Sequence, residues 1–282
     1  MNSPSSLKLV SWNMAHRENT WQHLLNLNAD IALLQEACEP PPDIIRQIDT
    51  DSSPWKISEN GINRPWRSAV VNITKRFPLK WLPQKRLGDA FKDEIEVSRP
   101  GTLQFAEVEL PSGNRLVVNS MYALWERPHQ STGSSWIYAD ASVHRLISDI
   151  SAMIGQESNH RIIAAGDLNI LHGYGEYGNK YWSARYASIF ERMSSVGLTF
   201  VGPQAPDGRV ADPWPDELPA DSKNVPTYYT NRQTPETATR QLDFVFASAS
   251  LSQHVKTKAI NLPAQWGPSD HCCIEIEIDL GS

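Results

Sequence analysis

The chain has 282 residues, of which 40% are hydrophobic and 21% are charged, and it contains 10 Trp and 20 Pro. This composition excludes an intrinsically disordered chain and favours a sheet-rich globular protein with long structured loops over a helical bundle. A formal net charge of -6 provides no overall basic field for non-specific binding of nucleic acid. Clustered carboxylates that hold a cation would contribute to the same negative charge. We expect one domain spanning residues 1–282.

The sequence features that report on location indicate a cytoplasmic protein. The chain has three cysteines, Cys38, Cys272 and Cys273, and residues 1–7 lack the positive run and apolar core of a signal peptide. No segment approaches the roughly 20 apolar residues that cross a bilayer. We therefore expect no membrane partner, and nothing in the sequence indicates an obligate protein partner.

Hydrophobic patterning predicts a chain rich in β-strands. A strand is predicted at residues 7–12, followed by a short amphipathic helix that begins at Thr20 and by a strand at 30–36 that is apolar on both faces. Further strands are predicted at residues 68–73, 102–110, 115–122, 161–165, 242–247 and 272–280. Helical spacing of apolar residues predicts helices at 137–154 and 183–196. These elements favour two packed sheets flanked by helices.

A Gly-Asp-Leu-Asn sequence at positions 166–169 directly follows the apolar strand predicted at 161–165. In an extended segment Asp167 and Asn169 point to one side, while Leu168 points back into the core. A carboxylate beside a carboxamide can orient a water molecule or share it with a metal ion. An Asx turn at the end of the strand is the alternative, because Asp and Asn also favour such turns.

Glu36 is a second candidate because it ends the strand that is apolar on both faces. A carboxylate beside a core is costly unless solvent, a partner or a cation compensates its charge. Mg²⁺ takes one or two protein carboxylates and keeps its other positions for water and phosphate oxygens, a role that Glu36 fits. A solvent-exposed strand end is the alternative.

A third group consists of Ser269, Asp270 and His271, just before the last predicted strand. Asp270 and His271 can face one site only if the chain turns there, which Pro268 favours. Asp243, at the start of a buried strand, is a candidate partner that would hold His271 protonated. A histidine beside a strand is more often structural, and that is the alternative.

Six groups of polar residues follow one another along the chain: Trp12-Asn13, Gln35-Glu36, Asn119 to Tyr122, Gly166 to Asn169, Leu242-Asp243 and Ser269 to His271. This order resembles the endonuclease/exonuclease/phosphatase superfamily. That superfamily includes exonuclease III, apurinic endonucleases, deoxyribonuclease I, neutral sphingomyelinases and inositol polyphosphate 5-phosphatases. The resemblance extends from residue 7 to residue 280. It implies an α/β fold, a four-layered sandwich of two packed, mostly antiparallel sheets flanked by helices.

The resemblance also implies a magnesium-dependent phosphodiesterase in which Mn²⁺ could replace Mg²⁺. Glu36 and Asp270 match the family's metal-binding residues. Asp167 matches the residue that activates the attacking water, and Asn169 matches its partner.

The remaining matched residues would contact the phosphate. His271 and Asp243 match the family's Asp-His pair, whose His contacts the phosphate, and Tyr122 matches a phosphate-contacting Tyr of the exonuclease III branch. Asn13 matches an Asn of the family and would add a hydrogen-bond donor. Fixed donors facing the oxygens on which negative charge develops lower the barrier to attack by water.

Departures from three branches bear on the substrate. Apurinic endonucleases carry Trp-Arg before the Asp that matches Asp243, whereas this chain has Arg240-Gln241-Leu242. Inositol 5-phosphatases place Trp-Cys before that Asp and Arg after it, where Leu242 and Phe244 stand, and sphingomyelinase-like members usually carry His in place of Tyr122. We therefore favour a nuclease that acts on DNA. The alternatives are a phosphatase or phosphodiesterase acting on inositol phosphates, phospholipids or another small phosphoester, and a catalytically inactive binding module.

Two segments, residues 172–186 and 202–236, carry aromatic and basic residues suited to nucleic acid. Rings can stack on bases, and cations can follow the phosphate backbone. We expect substrate binding by Lys180 and Arg185 in the first segment and by Tyr228 and Arg232 in the second. Packing of these segments onto the body of the protein is the alternative.

Overall fold

Apolar strands form most of the fold. The computed structural model describes residues 4–59, 62–155 and 160–281. Residues 1–3, which belong to the N-terminal segment that lacks a signal-peptide pattern, lie outside the described residues. The strands are β1 (Ser6–Asn13), β2 (Ile31–Ala37), β3 (Ile57–Glu59), β4 (Ile62–Arg64), β5 (Arg67–Asn72), β6 (Leu79–Trp81), β7 (Gln84–Arg86), β8 (Ile95–Val97), β9 (Leu103–Glu109), β10 (Arg115–Tyr122), β11 (Ile162–Asp167), β12 (Leu198–Gly202), β13 (Asp243–Ser248), β14 (Val255–Ala259) and β15 (Ile274–Asp279). The α-helices are α1 (Thr20–Leu25), α2 (Pro42–Ile45), α3 (Asp140–Ile150) and α4 (Lys180–Ser195).

The strands form two main sheets and two small ribbons. One sheet has five strands in the order β14-β15-β1-β2-β5, and the other has six in the order β12-β13-β11-β10-β9-β6. Within these sheets, β1 runs parallel to β2 and β10 runs parallel to β11, while the other neighbours are antiparallel. The ribbons are β3-β4 and β7-β8. The mostly antiparallel arrangement is the predicted one.

The alternation of side chains along each strand divides the core into three layers. On β1, Leu7 and Leu9 enter the core between the sheets, while Val10 and Trp12 enter the core on the outer face. Trp21 of α1 packs in that outer core, which also receives residues of α2. Helices α3 and α4 cover the outer face of the six-stranded sheet. The result is the predicted four-layered sandwich.

The predicted strands are all present, although several bounds differ by a few residues. Helix α4 begins at Lys180, earlier than predicted, because the side chain of Asn179 accepts a hydrogen bond from Tyr181 N at 2.8 Å and caps it. Lys180 therefore lies on the helix, three residues before its predicted start, and Arg185 lies on it as predicted. The sequence analysis missed β6, β12, β14 and both ribbons, which are short and lie at sheet edges or outside the sheets. In the described part of the chain, no helix is long and apolar enough to cross a membrane.

The parallel pairs bring polar strand ends to one edge of the sandwich. Asn13 ends β1, and Tyr122 and Asp167 end the neighbouring strands β10 and β11. A buried polar link joins the two sheets near this edge, because Ser120 Oγ donates to Leu34 O at 2.6 Å and accepts from Gln35 Nε2 at 2.9 Å. This link holds the ends of the two sheets close to each other.

Gly166 is required by the close approach of β11 to β10. A Cβ atom at this position would lie 1.8 Å from Met121 O, and the backbone has a φ of +156°. No side-chain rotation can relieve a clash with a backbone carbonyl. The glycine therefore allows Asp167 to follow directly on a strand packed tightly against its neighbour.

We expect Gly166→Ala to lower the free energy of unfolding by at least about 2 kcal/mol, because the two strands must separate to accept the methyl group. Urea denaturation followed by circular dichroism measures this change. Gly155→Ala is the matched control, since a Cβ at Gly155 meets no atom within 4 Å. Equal stability of the two variants would contradict the packing argument.

Candidate active site

Four strand ends and one loop bring the candidate residues together at the polar edge. Asp243 begins β13 and pairs directly with Asp167, the last residue of β11. His271 lies in the loop before β15, where its backbone N–H donates to Ser269 Oγ at 3.1 Å. Ser269 Oγ in turn donates to Asn13 O at 2.7 Å, which fixes this loop to the end of β1. The chain therefore turns after Pro268, which is the condition for Asp270 and His271 to face one site.

Glu36 reaches the site through an irregularity in β2. The register between β2 and β5 shifts between Leu34 and Ala37, and Glu36 has a φ of +47°. A bulge of this kind redirects a side chain, and the left-handed backbone costs a non-glycine residue about 1–3 kcal/mol. The Glu36 carboxylate accepts hydrogen bonds from Asn13 Nδ2 at 3.2 Å and His16 Nδ1 at 2.8 Å. Burial by itself would raise the pKa of Glu36, but hydrogen bonds from His16, Tyr122 and Asn13 outweigh it and lower the pKa.

Asp167 is a fully buried carboxylate held by three donors. Its Oδ2 accepts from Asn13 Nδ2 and from Asn169 Nδ2, each at 3.0 Å, and its Oδ1 accepts from Asn169 N at 2.9 Å. Burial raises the pKa of Asp167 to about 7, opposed by the charge of His271 and reinforced by the charges of Asp243 and Glu36. A carboxylate in this condition can take a proton near neutral pH.

The orientation of Asn169 is fixed at both ends of its amide. Asn169 Nδ2 donates to Ala123 O as well as to Asp167, and Asn169 Oδ1 accepts from Trp125 Nε1 at 3.0 Å. Only this orientation of the amide satisfies all three contacts. Asn13 is similarly committed, because its Oδ1 accepts from Ala15 N at 2.9 Å. Both amides therefore have their Nδ2 donors engaged, Asn13 with two carboxylates and Asn169 with one carboxylate and one backbone carbonyl.

His271 and Asp243 form a buried pair opposite Asp167. His271 Nδ1 lies 2.8 Å from Asp243 Oδ2, and His271 Nε2 lies 3.8 Å from Asp167 Oδ2. Burial by itself would lower the pKa of His271, but the charges of Asp243 and Asp167 and the hydrogen bond to Asp243 raise it to about 10. The ring is therefore an imidazolium at neutral pH, and its Nε2–H is a donor on the side of Asp167.

Tyr122, Tyr228 and Asp270 complete the immediate surroundings. Burial raises the pKa of Tyr122 well above its ordinary value, helped by the charges of Glu36 and Asp167, so its hydroxyl remains a neutral donor. The ring of Tyr228 lies 4.8 Å from the ring of His271. Asp270 is half-buried at the rim. These three predicted residues therefore lie close to Glu36, Asp167 and His271.

The donor set fits a divalent cation. Asp167, Asp243 and His271 offer ligand atoms within 4.8 Å of one another, but a protonated His271 cannot coordinate a metal. Glu36 is the better holder, because its pKa is lowered and its carboxylate is reachable from solvent. Asp243 Oδ1 is buried and has no hydrogen-bond partner among the described residues. This unpaired oxygen of Asp243 and the raised pKa of Asp167 both indicate an excess of negative charge in the site, which a bound cation would offset.

The three basic residues predicted to bind substrate lie outside this group. Lys180 and Arg232 are exposed, and neither forms a salt bridge within the described ranges. Arg185 Nε instead donates to Asp140 Oδ2 at 2.7 Å. The guanidinium of Arg185 also lies over the rings of Tyr138, Tyr181 and Trp182.

Sequence reasoning missed His16, Trp66 and Trp125. The ring of Trp66 stacks on His16, with centroids 6.1 Å apart, and meets the edge of Tyr122 at 5.0 Å. Trp125 is 63% exposed although its indole N–H is bound to Asn169. Only their position in the sequence could have indicated His16 and Trp125, since they follow the matched residues Asn13 and Tyr122 by three positions each.

Comparisons with known proteins bear on the family and the fold. The model of the Endonuclease/Exonuclease/phosphatase family matches residues 10–271, whereas no curated protein matches the sequence. Among solved structures, the catalytic domain of APE2 from Xenopus laevis has a TM-score of 0.62 at 16% identity, covering 97% of this chain and 92% of that chain. An AP endonuclease from Leishmania major gives 0.61 at 14% identity, covering 98% and 89%. A 3'-5' exonuclease from Neisseria meningitidis gives 0.58 at 16% identity, covering 97% and 100%.

We expect Asp243→Asn to lower the pKa of His271 from about 10 towards the ordinary value of 6.5, because the variant removes the charge that favours the imidazolium. The ¹⁵N chemical shifts of the ring, recorded across a pH series, measure this pKa. Asp270→Asn is the control, since Asp270 contributes less to the same pKa. A His271 pKa that does not move in Asp243→Asn would refute the assignment of this pair.

Proposed function

The chain belongs to the endonuclease/exonuclease/phosphatase family and is an enzyme that hydrolyses phosphoesters, and we propose that it is a metal-dependent nuclease acting on DNA. One observation carries the proposal. A buried carboxylate, Asp167, faces a buried imidazolium, His271, across 3.8 Å. A base and an acid that lie side by side with separated pKa values can both act on one phosphoester and its attacking water.

In the proposed reaction, Asp167 orients the attacking water and accepts its proton. Asn13 and Asn169 have no unused hydrogen-bond donors, so they position the carboxylates rather than contact the phosphate. The free donor is the Nε2–H of His271, because the hydroxyl of Tyr122 donates to Glu36. His271 would bind a phosphate oxygen on which negative charge develops, and Tyr122 would bind a second one once a cation on Glu36 releases its hydroxyl.

A divalent cation, once bound, would polarise the phosphate and neutralise charge on its oxygens. We assign Glu36 to hold it, with Asp270 at the rim as the second carboxylate. The lowered pKa of Glu36 keeps its carboxylate ionised without the cation. Mg²⁺ fits oxygen ligands of this kind, and Mn²⁺ prefers a similar set.

The choice of nucleic acid as substrate rests on an exposed aromatic surface of this chain and on the solved relatives. Solved relatives include AP endonucleases, a 3'-5' exonuclease and a 3' phosphatase bound to a DNA hairpin. In this chain, the rings of Trp136 and Trp182 stack at 4.9 Å, and Tyr177 and Tyr181 beside them are 82% and 61% exposed. Exposed rings of this kind can stack on bases. Arg185 lies against them, so we propose that it fixes the rings while Lys180 contacts phosphate.

A substrate panel tests the proposal. With Mg²⁺, the purified protein is expected to cut DNA presented as plasmid, linear duplex, single strand or abasic duplex. RNA, inositol phosphates and a small chromogenic phosphodiester are assayed beside them. Turnover of inositol phosphates without cutting of any nucleic acid would replace the nuclease by a phosphatase.

The double variant Lys180→Ala/Arg232→Ala separates substrate selection from chemistry. It should weaken DNA cutting and make the dependence of log(kcat/KM) on log[salt] shallower by about 2, while hydrolysis of the chromogenic ester is unchanged. Lys80→Ala/Arg115→Ala is the matched control, because these side chains are 74% and 72% exposed and Arg115 lies at the opposite end of β10 from Tyr122. A parallel loss of both activities would remove the role assigned to Lys180 and Arg232.

A further inference from the structure

His16 lies directly against the carboxylate that we assign to the cation. His16 Nδ1 is 2.8 Å from Glu36 Oε2, and His16 N donates to Glu36 O at 2.9 Å. The imidazole is 52% exposed and the Glu36 side chain is 15% exposed. The pair therefore opens to solvent, whereas Asp167, Asp243 and His271 are buried.

Three non-glycine residues with left-handed backbone surround this pair, two of them in the turn between β1 and α1. Ala15, His16 and Glu36 have φ values of +49°, +46° and +47°, and none of them is glycine. Left-handed non-glycine residues cost about 1–3 kcal/mol each and concentrate at functional sites. All three flank the same contact. The ring is further held by Trp66, whose plane lies within 14° of the plane of His16.

We propose that the catalytic cation replaces the proton that His16 Nδ1 shares with Glu36, so that neutral His16 becomes a ligand through Nδ1 and forms a mixed imidazole-carboxylate site with Glu36. Two neighbouring ligands of an octahedral ion with bonds of ~2.1 Å lie ~3 Å apart. The observed separation of 2.8 Å between Nδ1 and Oε2 is close to this spacing. The inference rests on the proposed metal dependence and adds the identity of a ligand.

An imidazole ligand changes which cation the site prefers. Mg²⁺ takes oxygen ligands, whereas Mn²⁺ shares that preference but also belongs to the first-row transition metals that bind sites containing nitrogen. The structure therefore assigns this chain a preference for Mn²⁺ over Mg²⁺. If His16 only hydrogen-bonds to Glu36, its loss changes the affinity for both cations equally.

Electron spin echo envelope modulation of bound Mn²⁺ tests the ligand without any assay of activity. The wild-type protein should show modulation from a directly bound imidazole nitrogen, and this pattern should change to that of ¹⁵N when the histidines are ¹⁵N-labelled. Bound Mn²⁺ without nitrogen modulation, or no binding of Mn²⁺ at millimolar concentration, would overturn the proposal. This part of the test needs no variant.

Two variants identify the histidine. The modulation should vanish in His16→Ala and persist in His271→Ala, with both variants checked for an unchanged circular dichroism spectrum. His16→Ala should also weaken binding of Mn²⁺ by at least ~10-fold and binding of Mg²⁺ by less. Persistence of the signal in His16→Ala contradicts the assignment. A wild-type nitrogen signal in a protein that cuts no DNA would instead uphold His16 and reject the proposed nuclease.

Discussion

The structure of the site depends on the unbalanced charge around the buried carboxylate of Asp167. Burial and the charges of Asp243 and Glu36 make ionisation of Asp167 costly, while His271 favours it. The charges of Asp243 and Asp167 in turn keep His271 protonated. Acid and base are therefore two results of one electrostatic arrangement, and a divalent cation beside Glu36 would relieve the excess negative charge.

The fold serves this arrangement by bringing strand ends together with little freedom to move. Gly166 lets β11 pack against β10, and the bulge in β2 turns Glu36 out of its sheet towards Asn13. Asn13 donates to both Glu36 and Asp167, so one amide connects the carboxylates of the two sheets. Preorganised groups of this kind stabilise charge in a transition state without reorganising during the reaction.

Patterns that are local in the chain predicted two packed sheets flanked by helices, and the resemblance added the four-layered sandwich and the roles of the candidate site residues. Asp167 and Asp243 lie at the ends of clearly apolar strands, and their order along the chain carried the resemblance. His16 could not be predicted, since the left-handed backbone that turns it towards Glu36 is imposed by tertiary contacts. The N-cap of α4 at Asn179 could be predicted, because Asn is a common capping residue. The hydrogen bond from Arg185 to Asp140 could not be predicted, because it depends on packing between helices α3 and α4.

The most direct test of the account is the single-turnover rate of DNA cleavage by wild type and by Asp167→Asn, each with Mg²⁺, with Mn²⁺ and with excess chelator. We expect cation-dependent cleavage by the wild type, none in chelator, and a rate ~10²- to 10⁴-fold lower for Asp167→Asn with either cation. The thermal unfolding midpoint should change little. Near wild-type cleavage by Asp167→Asn, or undiminished cleavage by the wild type in chelator, would contradict the account.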